Sequence, residues 1–222
     1  MKRSMAPEPE AALQRWRDLT LLAYFLLGAL GVALAMAVDV NPLAIDSWLA
    51  FPPGLGPLFS ALLGATLALA AIAATRLLVA RWEWARALHA ELRPAVDGVG
   101  DGTIVMLALA SALGEELFFR GLLVPVAGVV LSSVIFGVLH QVRGRSRWAW
   151  AGWAFVMGLG FAAIFRMTGS LVGAVLAHFV INLVNLRFLR DVKLRSPGRA
   201  ATGTAGGAVL PMRPWSTPRS RR

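Results

Sequence analysis

Gly114-Glu115-Glu116-Leu117-Phe118-Phe119-Arg120-Gly121 forms a polar knot inside a stretch, 103–142, that is largely apolar on both sides. An ionisable side chain at the centre of a membrane helix costs roughly 2.5–3.5 kcal/mol on the insertion scale. Three of them within six positions is a cost that ordinary packing would not retain. On a helix, Glu116 and Arg120 are four apart, share a face and can pair. Glu115 points about 100° away, toward the face that carries Ser111. An inert ion pair holding helices together would account for Glu116 and Arg120, but it leaves Glu115 without a reason. The knot therefore reads as an intramembrane site with one glutamate supported and the other free to act.

The rest of the chain supplies the membrane. Of its 222 residues, 57% are hydrophobic and only 15% charged, where a soluble domain runs nearer a quarter charged. Apolar runs of about 20 residues recur, each long enough to cross a hydrocarbon core of about 30 Å. About six spans are predicted, at 19–38, 58–79, 104–123, 124–142, 148–165 and 170–189, giving an all-α polytopic transmembrane bundle. The net charge of +10 would suggest a nucleic-acid partner in a soluble protein. Here the basic residues lie between apolar runs and in the C-terminal tail, so they report topology and no nucleic acid is expected. The 39–57 loop has Asp39 and Asp46 but no Lys or Arg, whereas Arg81, Arg86 and Arg93, then Arg143, Arg145 and Arg147, follow the second and fourth spans. Both termini are thus expected in the cytoplasm, in agreement with an even span count. The first apolar run is too long for a signal h-region and is expected to be retained.

Smaller features follow the same logic. The 81–96 segment mixes Trp82, Trp84 and Leu88 with charges and is expected to be a short interfacial helix. Trp148, Trp150 and Trp153 are expected to form an aromatic belt. The 196–222 tail, rich in Gly, Pro and Arg, is expected to be disordered and to rest on anionic lipid. The absence of Cys rules out disulfides, thiolate metal sites and a Cys nucleophile. The expected organisation is a cytoplasmic N-terminal segment at 1–18, two spans plus the interfacial helix at 19–100, a catalytic core at 101–190, and the basic tail at 191–222.

Two further polar pairs lie in the neighbouring apolar segments. Phe136-x-x-x-His140 ends the fourth span, and His178-x-x-x-Asn182 lies in the sixth, with Asn185 continuing that stripe. A lone membrane histidine is most often a packing residue, and His89 in the interfacial segment is read so. The other two of the three histidines sit in spans that flank the glutamates. A carboxylate beside an imidazole can take a proton from water as it attacks a carbonyl. Donors on another helix can stabilise the oxyanion, all the more where water is scarce. A nearby cation such as Arg120 keeps a buried carboxylate charged.

Glu-Glu-x-x-x-Arg, Phe-x-x-x-His and His-x-x-x-Asn, in that order over 111–186, resemble the CPBP family, which comprises Rce1-type CaaX-processing proteases and bacteriocin-processing, Abi-type relatives. Gly169-Ser170-Leu171 also looks like the family's approach to its third motif. The resemblance implies a helical intramembrane endopeptidase opening toward the cytoplasm. It implies catalytic roles for Glu115, Glu116, His140, His178 and Asn182: Glu115 activates water with His140, and His178 and Asn182 hold the oxyanion. Arg120 is the implied charge partner and structural support. The implied localisation is multi-pass in the inner (plasma) membrane, and the implied partner, besides the lipid bilayer, is a membrane-anchored protein or peptide substrate. For a bacterial member, leader peptides, anchors and sorting tails are as compatible as prenylated CaaX proteins. No cofactor is expected, because His-Glu-x-x-His spacing is absent. Zinc held by Glu115, His140 and His178 is the alternative. A proton-coupled transporter, or a non-catalytic immunity or scaffold protein, are the competing classes. Straight spans would leave His140 about 8 Å nearer the cytoplasm than Glu115, a tension that a bend at Gly121, Pro125 or Gly128 could relieve.

Overall fold

The computed structural model describes residues 9–141 and 144–194. Among these, α1 (Pro9–Ala37) and α2 (Gly56–Arg81) precede a short α3 (Glu83–Leu92). Then come α4 (Asp101–Glu116), a π-helical segment (Leu117–Leu123), α5 (Val124–Leu139), α6 (Arg147–Thr168) and α7 (Val172–Asp191). The all-helical membrane class is as expected: five helical runs are long and apolar enough to cross a bilayer. Their outward faces carry side chains suited to lipid, such as Phe25, Leu69, Val130 and Leu139.

The count of five differs from about six for one reason. The predicted third and fourth spans lie in a single apolar run of 39 residues, Asp101–Leu139. The chain breaks within that run at Gly128, not at 123–124, with φ 82° and ψ 169°, a conformation open essentially to glycine alone. A straight helix would place His140 roughly 37 Å beyond Glu115, whereas their side chains lie 3.5 Å apart. Measured from Gly128, Glu115 is about 20 Å back along the helix and His140 about 18 Å forward, so folding there brings them level. The tension over the height of His140 disappears because the span is not straight.

α1 packs on α4 and on the π segment, α4 on α7, and α7 on α2. α6 packs on α5 and also touches α2 and α7. The α1–α4 crossing is in backbone contact at Gly114, where an added Cβ would overlap the carbonyl oxygen of Tyr24. The main core lies between α2, α6 and α7, with Phe161, Phe165, Ala174, Ala177 and Ile181 at its centre. One end of the bundle is covered by the 38–55 connection: Ile45 N–H donates to Gly169 O (3.0 Å), Trp48 N–H to Arg166 O (2.8 Å) and Leu171 N–H to Leu43 O (3.1 Å).

The other end collects the charged connections. Arg190 pairs with Asp101 (3.0 Å) and donates to Val99 O (3.0 Å). Arg93 reaches Arg190 O (3.2 Å), and Ser146 N–H reaches Glu91 (3.4 Å). The start of α1, all of α3, the 144–146 turn and the end of α7 thus share one end. The 81–96 segment is helical as expected, though it starts at Glu83 and closes in a 3-10 turn, Arg93–Ala95. α1 begins within the expected N-terminal segment. The expected disorder of 196–222 lies outside the described residues.

Candidate active site

The π segment starts directly after Glu116, and such wide turns within α-helices recur at functional sites. It keeps Glu116 and Arg120 on one face: Arg120 donates to Glu116 Oε1 at 3.0 Å, with both side chains essentially inaccessible. The guanidinium also donates to Gly158 O (3.2 Å) on α6 and lies over the Phe136 and Phe161 rings, 4.4 and 5.1 Å from their centroids. A desolvated cation over aromatic faces contributes about 2 kcal/mol. Arg120 therefore ties the π segment to both α5 and α6.

His178, on α7, donates Nδ1–H to the same Glu116 oxygen at 2.7 Å. Its ring stacks on Phe161, 5.1 Å between centroids and 11° from parallel. His140 donates Nδ1–H to Phe136 O at 2.7 Å, since a carbonyl can only accept. With each Nδ1 committed as a donor, the neutral form of either ring presents Nε2 as a lone pair. Both Nε2 atoms face one atom, Glu115 Oε2, at 3.5 Å from His140 and 3.8 Å from His178. That oxygen is buried and has no hydrogen-bond partner among the described residues. The two glutamates are thus divided: Glu116 accepts from Arg120 and His178, while Glu115 faces two imidazoles.

Asn182, one turn beyond His178, donates Nδ2–H to Ser111 Oγ (2.9 Å), one turn before Glu115 on α4. Ser111 in turn donates to Ala108 O (3.1 Å). A cavity of about 330 Å³ is lined by Ser111, Glu115, His140, His178 and Asn182. From there it extends past Tyr24 and Trp153 to Trp84 and Leu88 of α3, toward the end of the bundle that collects the charged connections. All six residues singled out in the sequence meet here: Glu115, His140, His178 and Asn182 line the cavity, Glu116 lies behind His178, and Arg120 lies behind Glu116.

Several placements go beyond the sequence reading. Trp148 faces outward, but Trp150 and Trp153 turn inward onto the cavity, so the expected belt is divided. His89 is buried as a packing residue, donating Nε2–H to Val192 O at 2.8 Å. Asn185 accepts from Arg76 of α2 (3.0 Å), whose guanidinium stacks 3.6 Å from the Phe188 ring centroid. Phe161, the Gly158 carbonyl and Tyr24 carried no signal in the sequence, being single residues on helices without a motif. Among the described residues, no group of three or more His, Cys, Asp or Glu side chains is arranged to hold a metal ion.

A helical membrane bundle with carboxylates and imidazoles converging on an internal cavity defines the class. Residues 102–184 match the family described as type II CAAX prenyl endopeptidase Rce1-like, and the likeness is carried by this segment of the chain. Two relatives from Bacillus subtilis (strain 168) are similar over much the same length. "Uncharacterized protein YpbD" is 35% identical over 85 residues, 36% of this chain and 42% of the relative. "Sporulation-killing factor biosynthesis protein SkfC" is 30% identical over 89 residues, 35% of this chain and 18% of the relative. The chain thus spans less than half the length of the curated relatives it matches. No solved structure matches it.

Proposed function

We propose that this protein is an intramembrane endopeptidase that hydrolyses a peptide bond of a membrane-associated protein using water activated by Glu115 and His140. The carrying observation is the convergence on Glu115 Oε2 of His140 Nε2 (3.5 Å) and His178 Nε2 (3.8 Å) inside an apolar-walled cavity. A water molecule in the cavity beside these atoms can donate one O–H to the carboxylate and the other to an imidazole lone pair. Glu115 takes one proton of the water as its oxygen bonds to the scissile carbonyl carbon. The resulting oxyanion is held by Asn182, which has a second amide N–H beyond the one given to Ser111, and by His178 when its Nε2 is protonated. The proton then passes from Glu115 to the departing nitrogen and the C–N bond breaks; the proton left on the new carboxyl group passes to the amine by way of Glu115, so that a carboxylate and an ammonium group leave.

Glu116 and Arg120 act from behind. They fix the ring of His178 through Nδ1 and place a full positive charge near the glutamates, which supports an ionised base in a water-poor setting. In this reading 101–190 is the catalytic core, both ends of the chain face the cytoplasm, and the protein resides in the plasma membrane. The shared end of the bundle and its basic connections support that orientation.

The test uses the full chain in proteoliposomes with a library of internally quenched apolar peptides. Wild type is expected to cleave a subset, and Glu115→Gln to cleave none while unfolding at the same temperature. Cleavage by Glu115→Gln at the wild-type rate sinks the proposal.

A further inference from the structure

The acceptors in this site outnumber its donors. With each Nδ1 bound to Phe136 O or Glu116, the cavity faces of His140 and His178 are lone pairs in the neutral rings. Asn182 gives one amide N–H to Ser111. An oxyanion forming beside Glu115 needs donors already aimed at it, because reorganisation at the moment of reaction is what such sites avoid.

Four hydroxyls line the cavity: Thr20, Tyr24, Thr75 and Ser111. Three are committed to carbonyls of their own helices, Thr20 to Trp16 O (2.8 Å), Thr75 to Ala71 O (2.8 Å) and Ser111 to Ala108 O (3.1 Å). The Tyr24 hydroxyl has no hydrogen bond among the described residues. The backbone that carries it is fixed by a close helix crossing beside the site: the Tyr24 carbonyl lies where a Cβ of Gly114 would be, so the α1 backbone rests on the residue that precedes Glu115, and the Tyr24 side chain lines the same cavity as Glu115 and Asn182. Gly28, one turn further along the same face of α1, rests on the Gly114 Cα and holds the crossing in register. Tyr24 is half-buried, whereas its neighbour Phe25 turns out to the lipid face.

We propose that the Tyr24 hydroxyl is a catalytic hydrogen-bond donor, supplied by the first span, that joins Asn182 in holding the tetrahedral oxyanion. This rests on the peptidase reading of the site. It also assigns a chemical task to α1, which lies outside the 102–184 segment shared with the family.

Tyr24 is the single tyrosine of the chain, so biosynthetic replacement by fluorotyrosines alters this phenol alone. Tyr24→Phe is expected to lower kcat roughly 10²-fold, the usual loss for one oxyanion donor, with KM changed by less than about twofold. A peptide aldehyde, whose hydrate mimics the tetrahedral adduct, should bind Tyr24→Phe correspondingly more weakly, while the matching amide binds both proteins alike. Across 2-fluoro- and 3-fluorotyrosine proteins, assayed below the pH at which the phenol ionises, kcat should track phenol acidity, and the fluorine resonance should shift when the aldehyde is added. Should Tyr24→Phe keep wild-type kcat while Glu115→Gln is inactive, the tyrosine assignment is wrong and the peptidase reading stands. A flat fluorotyrosine series also overturns it. Should Glu115→Gln cleave normally, both readings fall together.

Discussion

Replacing Gly128 with alanine isolates the feature that brings His140 to Glu115. At φ 82° and ψ 169° the residue sits where an L side chain is strained, and nothing lies within 4 Å of the Cβ that alanine would add. The change therefore has no packing component. Holding a non-glycine residue in such a region costs about 1–3 kcal/mol, and Gly128→Ala should be less stable by that amount. Gly102→Ala is the matched control, because Gly102 is helical and equally open; there alanine should be neutral or gain about 0.5–1 kcal/mol. Unfolding by SDS titration in mixed micelles measures both. Because the chain has no cysteine, spin labels on cysteines introduced at Leu109 and Val134, both exposed on the lipid face, would report the distance between the two arms. If Gly128→Ala unfolds with Gly102→Ala and leaves that distance unchanged, the reversal does not depend on a glycine conformation and the derivation fails.

Arg120→Met leaves the carboxylate of Glu116 buried without its cation, which costs about 3–5 kcal/mol. Adding Glu116→Gln should recover most of that loss in stability although not in activity; additive single losses would show that the 3.0 Å pair carries no coupling. In the proposed reaction Glu115 and His140 activate water directly, so prolonged dialysis against a chelator, followed by metal analysis, should leave cleavage intact. Stoichiometric zinc whose removal abolishes cleavage would transfer water activation to a metal.

Much of this protein was legible in sequence because membranes simplify the physics. With no water to satisfy backbone groups, apolar runs must be helices, so helix positions followed from hydropathy to within a turn at most ends. Ionisable residues in such runs are expensive, so Glu115, Glu116 and Arg120 stood out by cost, and His140 and His178 by lying in neighbouring apolar spans. The four-residue spacing of Glu116 and Arg120 gave their pairing, because that contact lies within one helical stretch.

Contacts between helices were decided only by tertiary structure. Sequence spacing does not say that one polar-facing ring, His178, spans Glu116 with Nδ1 and Glu115 with Nε2, or that Trp150 and Trp153 turn inward. It divided the third and fourth spans at 123–124 and named Gly121, Pro125 and Gly128 alike as candidate bends, because a single glycine in an apolar run looks like any other until its φ is known. Tyr24 was silent for the same reason: its environment is made by a backbone crossing at Gly28 and Gly114, 86 residues apart in sequence. The glutamate knot identified where chemistry is possible from the cost of burying charge, and helical spacing set Glu115 apart from the Glu116–Arg120 pair; which atoms meet each glutamate came from how the helices fold around it.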